Sequence, residues 1–322
     1  KIQDIKDKLT LKNEYFYGLV EQNASVAGFY SGETVTYEDL LYGLMLPSGA
    51  DAAQSLAYSL YGDVDKFVEA MNKKAVDLGL KNTHLSNTTG LDDKGNYSSV
   101  FDVAEILKYS LKNNNFKNVF NAEKYVTSNG MHTFKTTRLK YDLDVSFIDG
   151  SKTGFTYDAG LCLASTSHFN GVNYLLVTAG APYDNKTNHL KDAKMIYKYY
   201  QTNFEYINIL NKNDELAKIK IDDENNIEFY SDKKIDKYLN KKCKITKEYI
   251  GINEIELNEY SDTLGKVVIK CNDEILHEEP IYMVLEYHND EKRNNINIIY
   301  ILCGVCIILV GILIVIKGKS KK

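Results

Sequence analysis

The sequence predicts an α+β domain over residues 1–204, a small all-β domain over 205–288, a linker at 289–297, a transmembrane helix at 298–316 and a cytoplasmic tail at 317–322. Three observations predict this order. Apolar stripes at helical spacing between 37 and 111 give way to strand-like runs between 150 and 179. Short alternating apolar and polar runs begin near Tyr206 and continue to Glu286. Residues 298–316 then form an uncharged apolar run of about 19 residues, long enough to cross a bilayer as a helix.

Taken in order, Lys8–Leu11 reads as a strand. Thr36 can cap a helix over 37–46 whose first turn carries Glu38 and Asp39, favourably placed at the positive end. After Pro47-Ser48-Gly49, the positions Ala50, Ala53, Ala57 and Leu60 repeat at helical spacing, and so many alanines imply close packing. A further helix runs over 64–78 and stops at Gly79. Residues 82–97 read as an ordered polar loop that could border a functional site but has no assigned role, and Ser98 or Ser99 can cap a helix over 100–111. Short strands and turns are expected over 112–143. The runs 160–167 and 172–179 flank Asn170-Gly171, a strong hairpin signal. A helix follows over 187–204. The later strands are placed at 217–221, 227–230, 266–271 and 280–285.

Composition narrows the function classes. The net charge is −5, with no basic cluster in the body of the chain, which argues against nucleic acid as a partner. The six histidines show no H-E-x-x-H and no paired ligand spacing, so no metal site is expected. Cys162, in a strand, is expected to be a small buried hydrophobe. Cys303 and Cys306 form a C-x-x-C inside the apolar run, an improbable place for redox or zinc chemistry. Sequence leaves open whether Cys243 and Cys271 pair. Four lysines (317, 319, 321 and 322) follow the apolar run, which places the tail in the cytoplasm and residues 1–295 outside the cell membrane.

Three stretches carry chemistry: LMLPSGADAA at 44–53, NTTGLDDKGNYSSVFD at 87–102 and DGSKTGFT at 149–156. The third sets a lysine and a hydroxyl beside a glycine, at the start of a strand whose free edge could accept an extended peptide. Together they resemble the serine D-alanyl-D-alanine carboxypeptidases, the low-molecular-mass penicillin-binding proteins, whose signature is S-x-x-K, a serine-led triplet and K-T-G. Ser48-Gly49-Ala50 matches the second motif and Lys152-Thr153-Gly154 the third. The resemblance covers about residues 1–200. It implies a β-lactamase/DD-peptidase-like fold, an antiparallel sheet with helices, here short of its N-terminal part.

The implied reaction is removal of the terminal D-Ala from peptidoglycan stem pentapeptides through an acyl-serine, with β-lactams as inhibitors and no cofactor. Ser48 and Lys152 are the implied catalytic residues. Lys152, Thr153, Gly154 and Phe155 are the implied substrate-binding residues, with Thr153 on the carboxylate and the Phe155 N–H in the oxyanion hole. Two departures stand out. The one S-x-x-K, Ser231–Lys234, follows K-T-G in a polar turn, so the nucleophile is expected upstream of Lys1, in keeping with a start that lacks both methionine and a signal peptide. Ala50 stands where many relatives carry asparagine. The competing expectations are a nonenzymatic peptidoglycan-binding protein and, less favoured, a β-lactamase.

Overall fold

The computed structural model describes residues 4–220, 226–253, 263–285 and 299–302. The chain divides into two compact units, Lys1–Gln201 and Thr202–Lys322.

In the first unit, strand β1 (Lys8–Thr10) pairs antiparallel with β2 (Thr34–Thr36), and β2 runs directly into helix α1 (Tyr37–Met45). Thr36 and Asp39 form a reciprocal capping box there, each side chain bonding the other's backbone N–H. Helix α2 (Ala50–Tyr61) follows a short turn and ends at Gly62, whose φ of 74° suits glycine. Helix α3 (Val64–Asp77) is capped by Asp63, and α4 (Val100–Ser110) by Ser99, one of the two expected serines. The stretch expected as strands and turns instead opens with helix α5 (Asn114–Asn121), capped by Asn113. It is followed by the short pair β3 (Lys124–Val126) and β4 (Thr133–Lys135) and by a 3₁₀ turn, Thr137–Lys140.

Strands β5 (Gly150–Thr156), β6 (Gly160–Phe169) and β7 (Val172–Ala181) form an antiparallel sheet in that order, so β5 lies at an edge. The β6–β7 turn is Asn170-Gly171, both at positive φ. Helix α6 (Asn188–Asn203) packs Leu190, Ala193 and Tyr197 against Leu163, Val145 and Ile148. A second cluster, with Leu40, Leu46, Ala52, Leu56 and Phe134, knits α1 and α2 to β1, β2 and β4.

The second unit is all-β among the described residues: β8 (Phe204–Leu210), β9 (Glu215–Lys220), β10 (Asn226–Tyr230), β11 (Ile235–Asn240), β12 (Ile245–Gly251), β13 (Thr263–Cys271), β14 (Glu274–Leu285) and β15 (Ile299–Leu302). They pair as β8–β11, β9–β10 and β12–β13–β14–β15. Ile209, Leu210, Ile219, Phe229, Val267 and Ile269 form its core. Cys243 and Cys271 are disulfide-bonded, with Cα atoms 5.4 Å apart. The only S-x-x-K of the sequence is structural here: Ser231 is buried in a turn and bonds Lys233 O, while Lys234 pairs with Asp236.

The expected transmembrane helix differs where it can be seen. Ile299–Leu302 is a strand paired with Leu285–Tyr282, and its β-branched and aromatic residues suit that conformation. The rest of 298–316, with Cys303 and Cys306, lies outside the described residues. No helix among the described residues is long and apolar enough to cross a membrane.

Candidate active site

Ser48 lies in the turn between α1 and α2 at φ 65°, a left-handed conformation that costs a non-glycine residue about 1 kcal/mol or more and persists only where the surroundings impose it. The surroundings are explicit. Gly49 N donates to Gly43 O and Ala50 N to Ser25 O. Asp51, 1% exposed, accepts from the backbone N–H groups of Ala27, Gly28, Phe29 and Ala52 at 2.8–3.0 Å. A Cβ at Gly49 would lie 2.6 Å from Asp51 Oδ1, 2.7 Å from Ala27 Cβ and 2.8 Å from Gly43 O, so only glycine lets the segment at 25–29 close over the turn. Gly49 supplies the extended N-cap geometry of α2, and Ser48 is left free of that duty.

The Ser48 hydroxyl meets β5 instead. Lys152 Nζ donates to Ser48 Oγ at 2.8 Å and to Thr153 O at 2.6 Å. Burial, reinforced by the positive charge of Lys140, pulls the Lys152 ammonium from 10.5 down to about 8. Because Ser48 Oγ accepts from Lys152, its own proton is free to point into the cleft.

That cleft, about 440 Å³, is bordered by Ser48, Ala50, Lys152, Gly154 and Phe155, and on its far side by Asn87–Leu91 and Asn96. Gly154 leaves it open: a Cβ added at that position would have Cys162 Cβ, 3.7 Å away, as its nearest neighbour. Four of the five sequence-derived site residues therefore line one cleft. The fifth, Thr153, does not: its hydroxyl turns to Thr137 Oγ1 at 2.6 Å. Phe155 is 38% exposed and stacks on Tyr183 at 4.0 Å.

Two features of the cleft carry no role in the sequence reading, although the first is expected to border the site. The loop at 87–91 is held by Asn87, whose Oδ1 accepts from Gly90 N at 2.7 Å and whose Nδ2 donates to Leu91 O at 3.1 Å. Asn-x-x-Gly is the available signal, an Asx-type turn. Cys162 is half-buried and borders the cleft, contrary to the expected buried hydrophobe, because its cross-strand partner is Gly154, which has no side chain to cover the thiol.

A family model described as D-alanyl-D-alanine carboxypeptidase matches residues 4–183, more than half of the chain and all of the cleft. The chain belongs to that family. A Bacillus subtilis relative, D-alanyl-D-alanine carboxypeptidase DacF, is 32% identical over 233 residues, 68% of this chain and 58% of its own length. A family member from Streptomyces sp. strain K15 is 36% identical over 171 residues, 48% of this chain and 58% of its own length. The chain thus spans somewhat over half the length of these curated relatives. Among solved structures, the Streptomyces K15 DD-transpeptidase is 31% identical, with a TM-score of 0.54 over 61% of this chain and 80% of that one. The D-alanyl-D-alanine carboxypeptidase DacD of Francisella tularensis, at 19% identity and TM-score 0.63 over 86% of this chain and 80% of that one, shares the fold.

Proposed function

We propose that this chain carries the substrate-binding wall and proton-relay groups of a serine D-Ala-D-Ala carboxypeptidase acting on peptidoglycan stem peptides. The observation that carries the proposal is the 2.8 Å bond from Lys152 to Ser48 across a cleft walled by β5. A stem peptide joins the β5 edge as an added strand, so that backbone bonds supply affinity. Lys152 holds Ser48 Oγ as an acceptor, and the Ser48 proton is then available to the departing D-Ala amine. The Phe155 N–H stabilises the oxyanion, and Thr153, turned from Thr137, meets the terminal carboxylate. Ala50 cannot hold the substrate amide as an asparagine would.

The attacking group required is an S-x-x-K serine, and among the described residues the cleft contains none. Fluorescent penicillin tests this directly. A polypeptide carrying an S-x-x-K segment ahead of Lys1 should be labelled covalently at that serine, and the 322-residue chain should not. Labelling of the 322-residue chain would overturn the assignment. Failure of the longer one to label would favour a nonenzymatic peptidoglycan-binding protein built on the same cleft.

We also propose an extracytoplasmic location with attachment to the cell membrane. The Cys243–Cys271 disulfide suits an oxidising compartment, and the uncharged run at 298–316 with its following lysines suits an anchor. Retention in the membrane pellet after alkaline washing, lost on truncation at residue 297, is the expected result. Recovery of the intact chain in the soluble fraction would refute it.

A further inference from the structure

The wall of the cleft that faces β5 is fastened by two side chains from the helices on either side of it in sequence. Residues 85–96 form a loop whose neck is a β-bridge, with His84 N donating to Tyr97 O and Tyr97 N to His84 O, both at 2.9 Å. Just before the neck, Asp102 of α4, 3% exposed, accepts from Asn82 N and from the Thr83 hydroxyl at 2.8 Å. Just inside it, Asn72 of α3 grips a whole peptide group. Its Oδ1 accepts from Leu85 N at 2.8 Å, and its Nδ2 donates to Leu85 O at 2.6 Å. The same Nδ2 donates to Val68 O, 3.2 Å away in its own helix. Ser86 alone separates that grip from the wall at 87–91. Leu85 and Met71 border the cleft on one side and, on the other, an apolar pocket of about 330 Å³ between α3 and α4. This part of the wall is therefore a partition with space behind it, and packing alone does not fix its distance from β5.

We propose that Asn72 is a positioning residue for the cleft: its carboxamide, acting through the Leu85 peptide group, holds the wall at 87–91 at the distance from β5 that an extended peptide needs. What occupies the cleft rests on the carboxypeptidase reading above; how the wall is held does not. A peptide group offers one donor and one acceptor, and a carboxamide matches both at once. Leucine fills a similar volume and matches neither. The neck bridge and Asp102 stay in place when Asn72 is lost, so the loop keeps its ends while the segment inside the neck falls back into the apolar pocket. An extended peptide on β5 turns half of its backbone groups away from the strand, toward this wall. A wall that retreats leaves those groups to water. The width of the cleft, and with it the affinity for a peptide, is thus set from α3 rather than from the strand that carries the motif.

Cys162, the free thiol that borders the cleft, reads the wall directly in the full 322-residue chain. Its alkylation by a small reagent, N-ethylmaleimide, and by a bulky one, fluorescein maleimide, is followed at that residue by peptide mass spectrometry, on chains with wild-type circular dichroism. Asn72→Leu should speed the bulky reagent about tenfold relative to the small one, because two hydrogen bonds no longer oppose local opening. Asn72→Asp keeps the acceptor for Leu85 N, loses the donor and should fall between. Asp63→Ala removes the N-cap of the same helix and lowers Tm without touching Leu85, so it should leave the ratio unchanged. A dye-labelled tripeptide ending in D-Ala-D-Ala, with binding read by fluorescence anisotropy, should bind about three- to tenfold more weakly to Asn72→Leu and equally well to Asp63→Ala. A reagent ratio that stays at the wild-type value in both Asn72 variants, or that Asp63→Ala shifts as far, overturns this inference and leaves the carboxypeptidase reading standing. A shifted ratio in a chain whose wild type does not bind the tripeptide overturns that reading and upholds the hold of Asn72 on the wall.

Discussion

Replacing Asp51 by alanine is expected to be among the most damaging single changes in the first unit. The carboxylate accepts four backbone N–H bonds, from Ala27 and Ala52 on Oδ1 and from Gly28 and Phe29 on Oδ2. Gly28 is exposed and Ala27 half-buried, so water can replace the carboxylate at those two. Phe29 and Ala52 are buried, and each N–H left without a partner costs about 1–3 kcal/mol. Two such groups put the loss at about 4 kcal/mol, which for a unit of this size lowers Tm by roughly 8–16 °C. Asp51→Asn keeps one acceptor oxygen but turns an NH₂ toward two N–H donors, so it should fall close to the alanine variant. Thermal unfolding followed by circular dichroism, with the disulfide intact, measures both. A Tm decrease below about 2 °C for Asp51→Ala would refute the view that this carboxylate clamps the segment at 27–29 onto the start of α2.

Charge and packing elsewhere in the first unit give further tests. Native Lys152 titrates near 8 and the unfolded residue at its ordinary 10.5, so between those values the unfolded chain binds more protons and stability rises with pH. Lys152→Met should remove that rise, seen as a wild-type minus variant difference in urea midpoint that changes between about pH 8 and 10 and is flat from about pH 6 to 7. Burial pushes the Asp39 carboxyl up, but bonds from Ser128, Thr36 and Tyr125 outweigh it and hold it below its ordinary value. Its stabilisation is therefore present above the unfolded pKa and lost as pH falls through the native one. Asp39→Asn should cost about 2–4 kcal/mol at neutral pH by chemical denaturation, with the deficit shrinking as the native carboxyl becomes protonated. Gly49→Ala should cost about 1–3 kcal/mol, because its Cβ meets backbone and a packed methyl with no room to yield. A neutral result would show that the segment at 25–29 can move away.

Local chemistry is legible in the sequence wherever one or two residues decide the outcome. Thr36 with Asp39, Ser99, and Asn170-Gly171 each act within their own turn, and each appears where its residue type implies. Helix α5 is hard to read because Asn114, Asn115, Asn118 and Asn121 are weak helix formers. The signal that outweighs them is Phe116, Val119 and Phe120 at i, i+3 and i+4 beneath the Asn113 cap. At the site, the K-T-G strand and Ser48 follow from their motifs. The loop at 87–91 has no readable role, because asparagine, threonine and glycine become a cleft wall only once the fold brings them opposite β5. Cys162 falls in the expected element but not at the expected depth, since its exposure depends on which residue stands across the sheet. Thr153 follows from K-T-G, but only the structure reveals its bond to Thr137, sixteen residues away in sequence.

The open edge of β5 has a consequence for the behaviour of the protein in concentrated solution. A strand edge left unpaired, as the peptide binding proposed above requires, is equally available to a strand from another copy, the usual starting point for edge-to-edge association. This edge carries its own deterrents. Gly150 and Gly154 weaken its tendency to extend, Lys152 sets a charge on it, and the 137–140 turn shields one side. The lysine and glycine of the motif thus disfavour edge-to-edge pairing in addition to the recognition role proposed for them, and changes that make β5 a better strand should promote self-association.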